Sequence, residues 1–147
     1  MPIDQVRKFK MNEFNLRAST PLYDAMGISL SKLRCQLYKQ EQSQVLVTVI
    51  TDGEENCSKE YSGKMIKNLV NDLKSLGWVF AYIGANQNVD VAADSISINN
   101  RMLFEATSEG SEKMAKELNC CRMAFYNKIS EKRFDDKIKL QDNFFDI

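Results

Sequence analysis

The side chains best equipped for chemistry stand together in one stretch, VLVTVITDGEEN, where Asp52, Glu54 and Glu55 follow directly on an apolar run. Carboxylates so placed can act as a nucleophile or as oxygen ligands for a hard cation. The chain contains no histidine. That removes Ser-His-Asp and Cys-His catalysis, histidine-ligated zinc, and the commonest general base near neutral pH. Cys35, Cys57, Cys120 and Cys121 show no C-x-x-C spacing, and adjacent Cys120 and Cys121 on a helix point to different sides. Reduced thiols are expected. A Gly-rich phosphate loop of either the dinucleotide or the P-loop kind is also absent from the sequence.

The elements that must position these carboxylates follow from periodicity. Thr20 suits a helix N-cap and Pro21 the first helical position, after which Leu22, Ala25, Met26, Leu30, Leu33 and Leu37 fall on one face. Asp24, one turn in, favours the positive end of that helix. Past the polar KQEQSQ, Val45–Thr51 reads as a short strand buried on both faces. Ser58 is expected to open a second helix, which carries Tyr61, Met65, Ile66, Leu69, Val70, Leu73 and Leu76 at helical spacing and ends at Gly77. Trp78–Ile83 is a second strand-like run, followed by the loop GANQNVD, in which Asn86 and Asn88 either donate to a ligand or satisfy turn geometry. Val89–Ile98 reads as a short helix and Met102–Ala106 as a short strand. After the loop TSEGSE comes a long helix with Met114, Leu118, Cys121, Phe125 and Ile129 on a common face. Residues 1–19 form an irregular lead-in, and residues 133–147 a charged tail, either loose or docked by Phe144 and Phe145. In that tail the cations Lys137 and Lys139 are interleaved with Asp135 and Asp136, as on a solvated face.

Helix and strand therefore alternate within 147 residues, the length of one domain. The order predicts an α/β fold of three layers, α/β/α and Rossmann-like, with a mostly parallel sheet. Ligands in such sheets sit beyond the carboxyl ends of the strands, where Asp52–Asn56 and the loop after Ile83 both lie. Twenty basic and twenty acidic residues cancel, so no overall field points to nucleic acid or to an anionic membrane. No apolar run approaches ~18 residues and the N-terminus does not resemble a signal peptide, so a cytoplasmic, non-membrane protein is expected.

Two segments, STPLYDAMG (Ser19–Gly27) and VLVTVITDGEEN (Val45–Asn56), with GWVFAYIGANQNV (Gly77–Val89) downstream, resemble a von Willebrand factor A-type domain of the bacterial or phage cytoplasmic kind. The resemblance spans roughly residues 15–107. In that family three loops at the strand ends hold a divalent cation, usually Mg²⁺, through an Asp-x-Ser-x-Ser motif, a Thr, and an Asp commonly within Thr-Asp-Gly. Thr20 matches the second loop, and Asp52 in Thr51-Asp52-Gly53 matches the third. No Asp-x-Ser-x-Ser occurs in the sequence, so the resemblance implies a domain truncated at its N-terminus, lacking that early strand and loop. Ser19, Gly53, Glu54, Glu55 and Asn86 are the expected binding residues around the two matched ones.

The resemblance implies an incomplete adhesion site. Mg²⁺ prefers an octahedron of oxygens and keeps its waters unless carboxylate charge compensates, so Thr20 and Asp52 alone imply a weak metal site. Glu54 and Glu55 either add charge to it or are solvated loop residues. The absent strand implies an open edge at Val45–Thr51, filled by a homodimer, by a protein partner, or by the N-terminal segment with Val6, Phe9 and Phe14. The leading expectation is a non-catalytic protein-binding module. The alternatives are a phosphoryl-transfer or hydrolytic α/β enzyme using Asp52, and an inactive or split-gene fragment that needs an upstream partner.

Overall fold

The β-branched, apolar runs of the sequence form a parallel sheet, and the amphipathic runs cover it from both sides. The computed structural model describes residues 19–38, 43–85, 88–130 and 143–146. In chain order the elements are α1 (Leu22–Leu37), β1 (Leu46–Thr51), α2 (Gly63–Ser75), β2 (Val79–Ala85), α3 (Val89–Ser95), β3 (Asn100–Phe104), α4 (Ser108–Ser130) and a 3₁₀ turn at Phe144–Asp146. The strands lie in the order β1-β2-β3, all parallel, with Leu46 opposite Val79 and Ala81 opposite Asn100. The expected mixed α/β, Rossmann-like architecture is what the chain adopts.

Each strand side chain's parity decides its layer. Phe80 and Tyr82 of β2 join Val49, Met26, Leu30, Ile66, Val70, Leu73 and Ala93 in a core beneath α1, α2 and α3. Val79, Ala81 and Ile83 join Leu118, Cys121, Phe125 and Phe144 beneath α4 and the 3₁₀ turn. β2 is buried at every position, which is why its sequence runs apolar without alternation. On α2, the spacing of Ile66, Val70 and Leu73 places one stripe inward, and all three are completely buried. Burial of this kind stabilises by roughly 1.5–3 kcal/mol per side chain.

Several boundaries differ from the periodic reading: β1 starts one residue later than expected, β2 is shifted to Val79–Ala85 from Trp78–Ile83, and β3 ends at Phe104 and not at Ala106. α2 begins at Gly63 with Ser62 as its N-cap, its side chain accepting from the Met65 amide, and not at Ser58. Ser58 is committed elsewhere, as described below. β3 begins two residues earlier than expected because Asn100, buried, donates from Nδ2 to the Phe80 carbonyl and starts the pairing. α3 stops at Ser95, short of Ile98, and the chain turns back there with Ser97 at φ 60°. Within TSEGSE the long helix has already started: Thr107 caps α4 by accepting the Gly110 amide on Oγ1.

The C-terminal aromatic pair does dock. Phe144 is fully buried against Phe125, its amide donates to Asn100 Oδ1 at 2.6 Å, and Phe145 stacks edge-on against it. The lead-in at 1–18, the tail at 131–142, the terminal Ile147 and the candidate Asn86 lie outside the described residues. No helix among the described residues is long and apolar enough to cross a membrane.

Candidate functional site

β1 ends in a turn built by its own last residue. Thr51 is buried, and its hydroxyl donates to the Gly53 carbonyl at 2.8 Å while accepting the Gly53 amide at 3.3 Å. This closes the chain tightly around Asp52 and leaves that residue exposed. A side chain at Gly53 would meet the Thr20 hydroxyl: an ideal Cβ there lies 3.1 Å from Thr20 Oγ1. The two matched loops, far apart in sequence, therefore touch at the carboxyl end of β1.

The Thr20 segment is held by the loop that follows β1. Thr20 donates its amide to Asn56 Oδ1 at 2.8 Å, and the Asn56 amide donates back to the Thr20 carbonyl at 3.3 Å. Glu55 Oε2 accepts the Tyr23 amide at 2.8 Å, and Ser58 Oγ accepts the Asp24 amide at 3.0 Å. These bonds satisfy N-terminal donors of α1 that have no partner within the helix. Thr20 is not the side-chain cap: the N-cap position is Pro21, which makes no side-chain cap bond. Glu55 and Ser58 cap the helix from across the loop instead.

Two carboxylates complete this clamp. Glu55 also accepts the Cys57 amide, the Ser58 amide and the Ser58 hydroxyl. Burial works to raise the Glu55 pKa, but the hydrogen bonds from Ser58, Tyr23 and Cys57 outweigh it and hold the carboxyl below its ordinary value. Asp24 accepts the amides of Lys59, Glu60 and Tyr61 at 2.8–2.9 Å. The Lys59 amide foremost, with those of Tyr61 and Glu60 and the Lys59 charge, lowers the Asp24 pKa against the opposing effect of burial. Helix α1 and residues 55–61 thus hold each other by charge-assisted bonds running both ways.

Beside the clamp lies a cleft of about 290 Å³, floored by Tyr82 of β2 and walled by Tyr23, Glu54 and Glu55 on one side and by Asn88, Val91 and Ala92 on the other. Asn88 is an N-cap for α3, its Oδ1 accepting the Val91 amide. Glu54 is exposed at the rim.

Ser19, Thr20, Asp52, Gly53, Glu54 and Glu55 therefore gather in one loop cluster, but their chemistry separates. Glu55 is neither a spare ligand nor a solvated loop residue, because its oxygens already receive four hydrogen bonds. Thr20 and Asp52 offer one hydroxyl and one exposed carboxylate, which do not by themselves make the six-oxygen shell that Mg²⁺ prefers. Among the described residues no group of three or more His, Cys, Asp or Glu side chains could hold a metal ion. Asp24, Asn56 and Ser58 were not expected to build this cluster. Their one signal in sequence is that all carry short oxygen-bearing side chains beside a helix start, a pattern that also fits ordinary capping. No protein-family model matches the chain, and no curated protein and no solved structure matches it.

Proposed function

We propose that this chain is a non-catalytic protein-binding module of the von Willebrand factor A type, docking through the loop cluster at the carboxyl end of β1. The observation that carries the reading is the contact between the Thr20 hydroxyl and Gly53 of Thr51-Asp52-Gly53. Two arms of a cation cradle would meet in this way. Asp52 is exposed and precedes Gly53, the residue against Thr20, so in this reading the remaining oxygens come from a partner, either directly or around a shared Mg²⁺. The reciprocal clamp behind the two residues supports binding, since a site presented on a rigid frame loses less entropy on docking. The absence of histidine from the sequence removes the commonest general base.

The partner is a protein. In the simplest arrangement it is a second copy meeting the Val45–Thr51 edge, where β1 has β2 as its one strand partner among the described residues and Ile50 is 52% exposed. A cytoplasmic setting agrees with four free cysteines.

Sedimentation of the full chain with and without millimolar Mg²⁺, beside Asp52→Ala, tests this reading. A mass above the monomer that falls in Asp52→Ala or on chelation is the expected result. A monomer under every condition, or tight calorimetric binding of Mg²⁺ to the isolated chain, would remove the shared-site model.

A further inference from the structure

The cleft beside the clamp is unevenly charged. Two carboxylates line it, Glu54 and Glu55, and among the described residues no lysine or arginine does. Glu55 is committed to the clamp, but its donors are amides and a hydroxyl, which order its charge without cancelling it. Glu54 is exposed at the rim and has no hydrogen bond or ion pair among the described residues. Two helices begin at this cleft, yet an anion would find their first donors taken. Glu55 and Ser58 accept the Tyr23 and Asp24 amides of α1, and Asn88 accepts the Val91 amide of α3.

The rest of the lining suits an aliphatic stem and a flat head. Asn88, Val91, Ala92 and Ser95 recur at helical spacing, so α3 turns one side to the cleft, with Val91 and Ala92 at its centre. The Tyr23 ring lines it as well, its edge packed on Gly63, where an ideal Cβ would lie 3.3 Å from it. Tyr82, 1% exposed, closes the floor. At about 290 Å³ the cleft falls below the ~300–1,000 Å³ of small-molecule sites and matches a single long side chain.

We propose that the cleft receives an arginine side chain of the docked partner. The guanidinium pairs with Glu54 and lies against Tyr23, while its methylene stem runs along Val91 and Ala92. Arginine suits the site better than lysine, because its planar head meets a carboxylate in two parallel bonds and still rests on an aromatic ring. Glu55, fixed behind Glu54, adds to the field that draws the cation in. The chain's own Arg101 is not the occupant, being bound to Asp90 and Asp94. This inference rests on the reading of the loop cluster as a docking face and names what the partner brings to it.

The test titrates two capped tripeptides, Gly-Arg-Gly and its uncharged isostere Gly-citrulline-Gly, into the full chain to millimolar concentration, followed by amide NMR. Saturable shifts at Glu54, Asn88, Val91 and Ala92 are expected for the arginine peptide, weakening as salt rises. The citrulline peptide should bind about tenfold more weakly, having lost both the ion pair and the aromatic contact. Glu54→Gln should weaken the arginine peptide about fivefold with the amide shifts of β1 and α2 unchanged, which separates lost pairing from lost fold. Four results would each overturn the proposal: equal binding of the two peptides, shifts centred elsewhere, unaltered affinity in folded Glu54→Gln, or no saturable binding, as when another of the chain's own cations fills the cleft. Sedimentation keeps the two readings apart. A chain that stays monomeric yet binds the arginine peptide loses the shared-site model and keeps this cleft, whereas an assembly that falls apart in Asp52→Ala without any arginine binding does the reverse.

Discussion

Glu55 and Tyr23, 32 positions apart in the chain, are joined by a 2.8 Å hydrogen bond from the Tyr23 amide to Glu55 Oε2. The bond fastens the exit of β1 to the entrance of α1 and so fixes the position of Thr20 over Gly53. Three further donors, the Cys57 and Ser58 amides and the Ser58 hydroxyl, share the same carboxylate. Removing the carboxylate leaves these donors short of an acceptor. Glu55→Ala is therefore expected to cost about 2–4 kcal/mol in chemical denaturation, and Glu55→Gln less, because the amide keeps one acceptor oxygen.

The same carboxylate makes stability depend on acid. Its folded pKa lies below the ordinary 4.5, so its stabilisation is fully present above that value and is lost as pH falls through the lower folded value. Thermal melts of the parent chain from neutral pH down through this range should show a decline that is smaller in Glu55→Gln. Equal acid sensitivity in the two proteins would show that Glu55 contributes nothing to the transition.

Asp24 holds the other half of the clamp, and its effect is local. Its carboxylate gathers the amides of Lys59, Glu60 and Tyr61. In Asp24→Ala these amides should exchange with solvent faster than in the parent, while those of Ile66, Val70 and Leu73 on the buried stripe of α2 keep their protection. Uniform acceleration across α2 would instead place Asp24 in the global core.

Tyr61 lies over the backbone of α1 at Gly27, where its ring occupies the space a Cβ would need. Gly27→Ala alone should destabilise by about 1–3 kcal/mol through overpacking, in spite of the better helix propensity of Ala. With Tyr61→Ala in the background the sign should reverse, Gly27→Ala then gaining about 0.5–1 kcal/mol from propensity. A double-mutant cycle in denaturant measures both.

The fold class was legible because its signals are dense. Three apolar, β-branched or aromatic runs separated by helical stripes admit few arrangements, and the completely buried β2 shows no alternation that could point to an antiparallel sheet. The gathering of Thr20 with Asp52 and Gly53 was legible only through family resemblance, since no local rule connects residues so far apart. What remained hidden was the use of Glu55, Ser58 and Asp24. Each looks locally like a helix-terminus or loop residue, and each is committed by a partner more than 30 positions away. Asn100 was hidden for the same reason: its amide joins the Phe80 carbonyl to the Phe144 amide, and nothing beside it in sequence announces either. Capping chemistry is short in range only when the helix supplies its own cap.

Helices α2 and α3 end in the same way, with different residues in the critical place. After α2, Gly77 at φ 87° donates to the Lys74 carbonyl, and the next amide, Trp78, reaches back to Leu73. After α3, Ser97 at φ 60° donates to Asp94, and Ile98 reaches back to Ala93. The left-handed conformation is open to Gly without penalty, whereas a residue with a Cβ pays on the order of 1 kcal/mol for it. Ser97→Gly is therefore expected to stabilise the chain by about 0.5–1 kcal/mol, the gain being reduced by the greater freedom of Gly in the unfolded state. Gly77→Ala should destabilise by about 1 kcal/mol or more, although no atom stands within 4 Å of the added Cβ. Since the space at Gly77 is open, a loss there reports backbone conformation and not a clash. Denaturant midpoints of the two variants should move in opposite directions with unchanged slopes, and a stabilising Gly77→Ala would refute the shared motif.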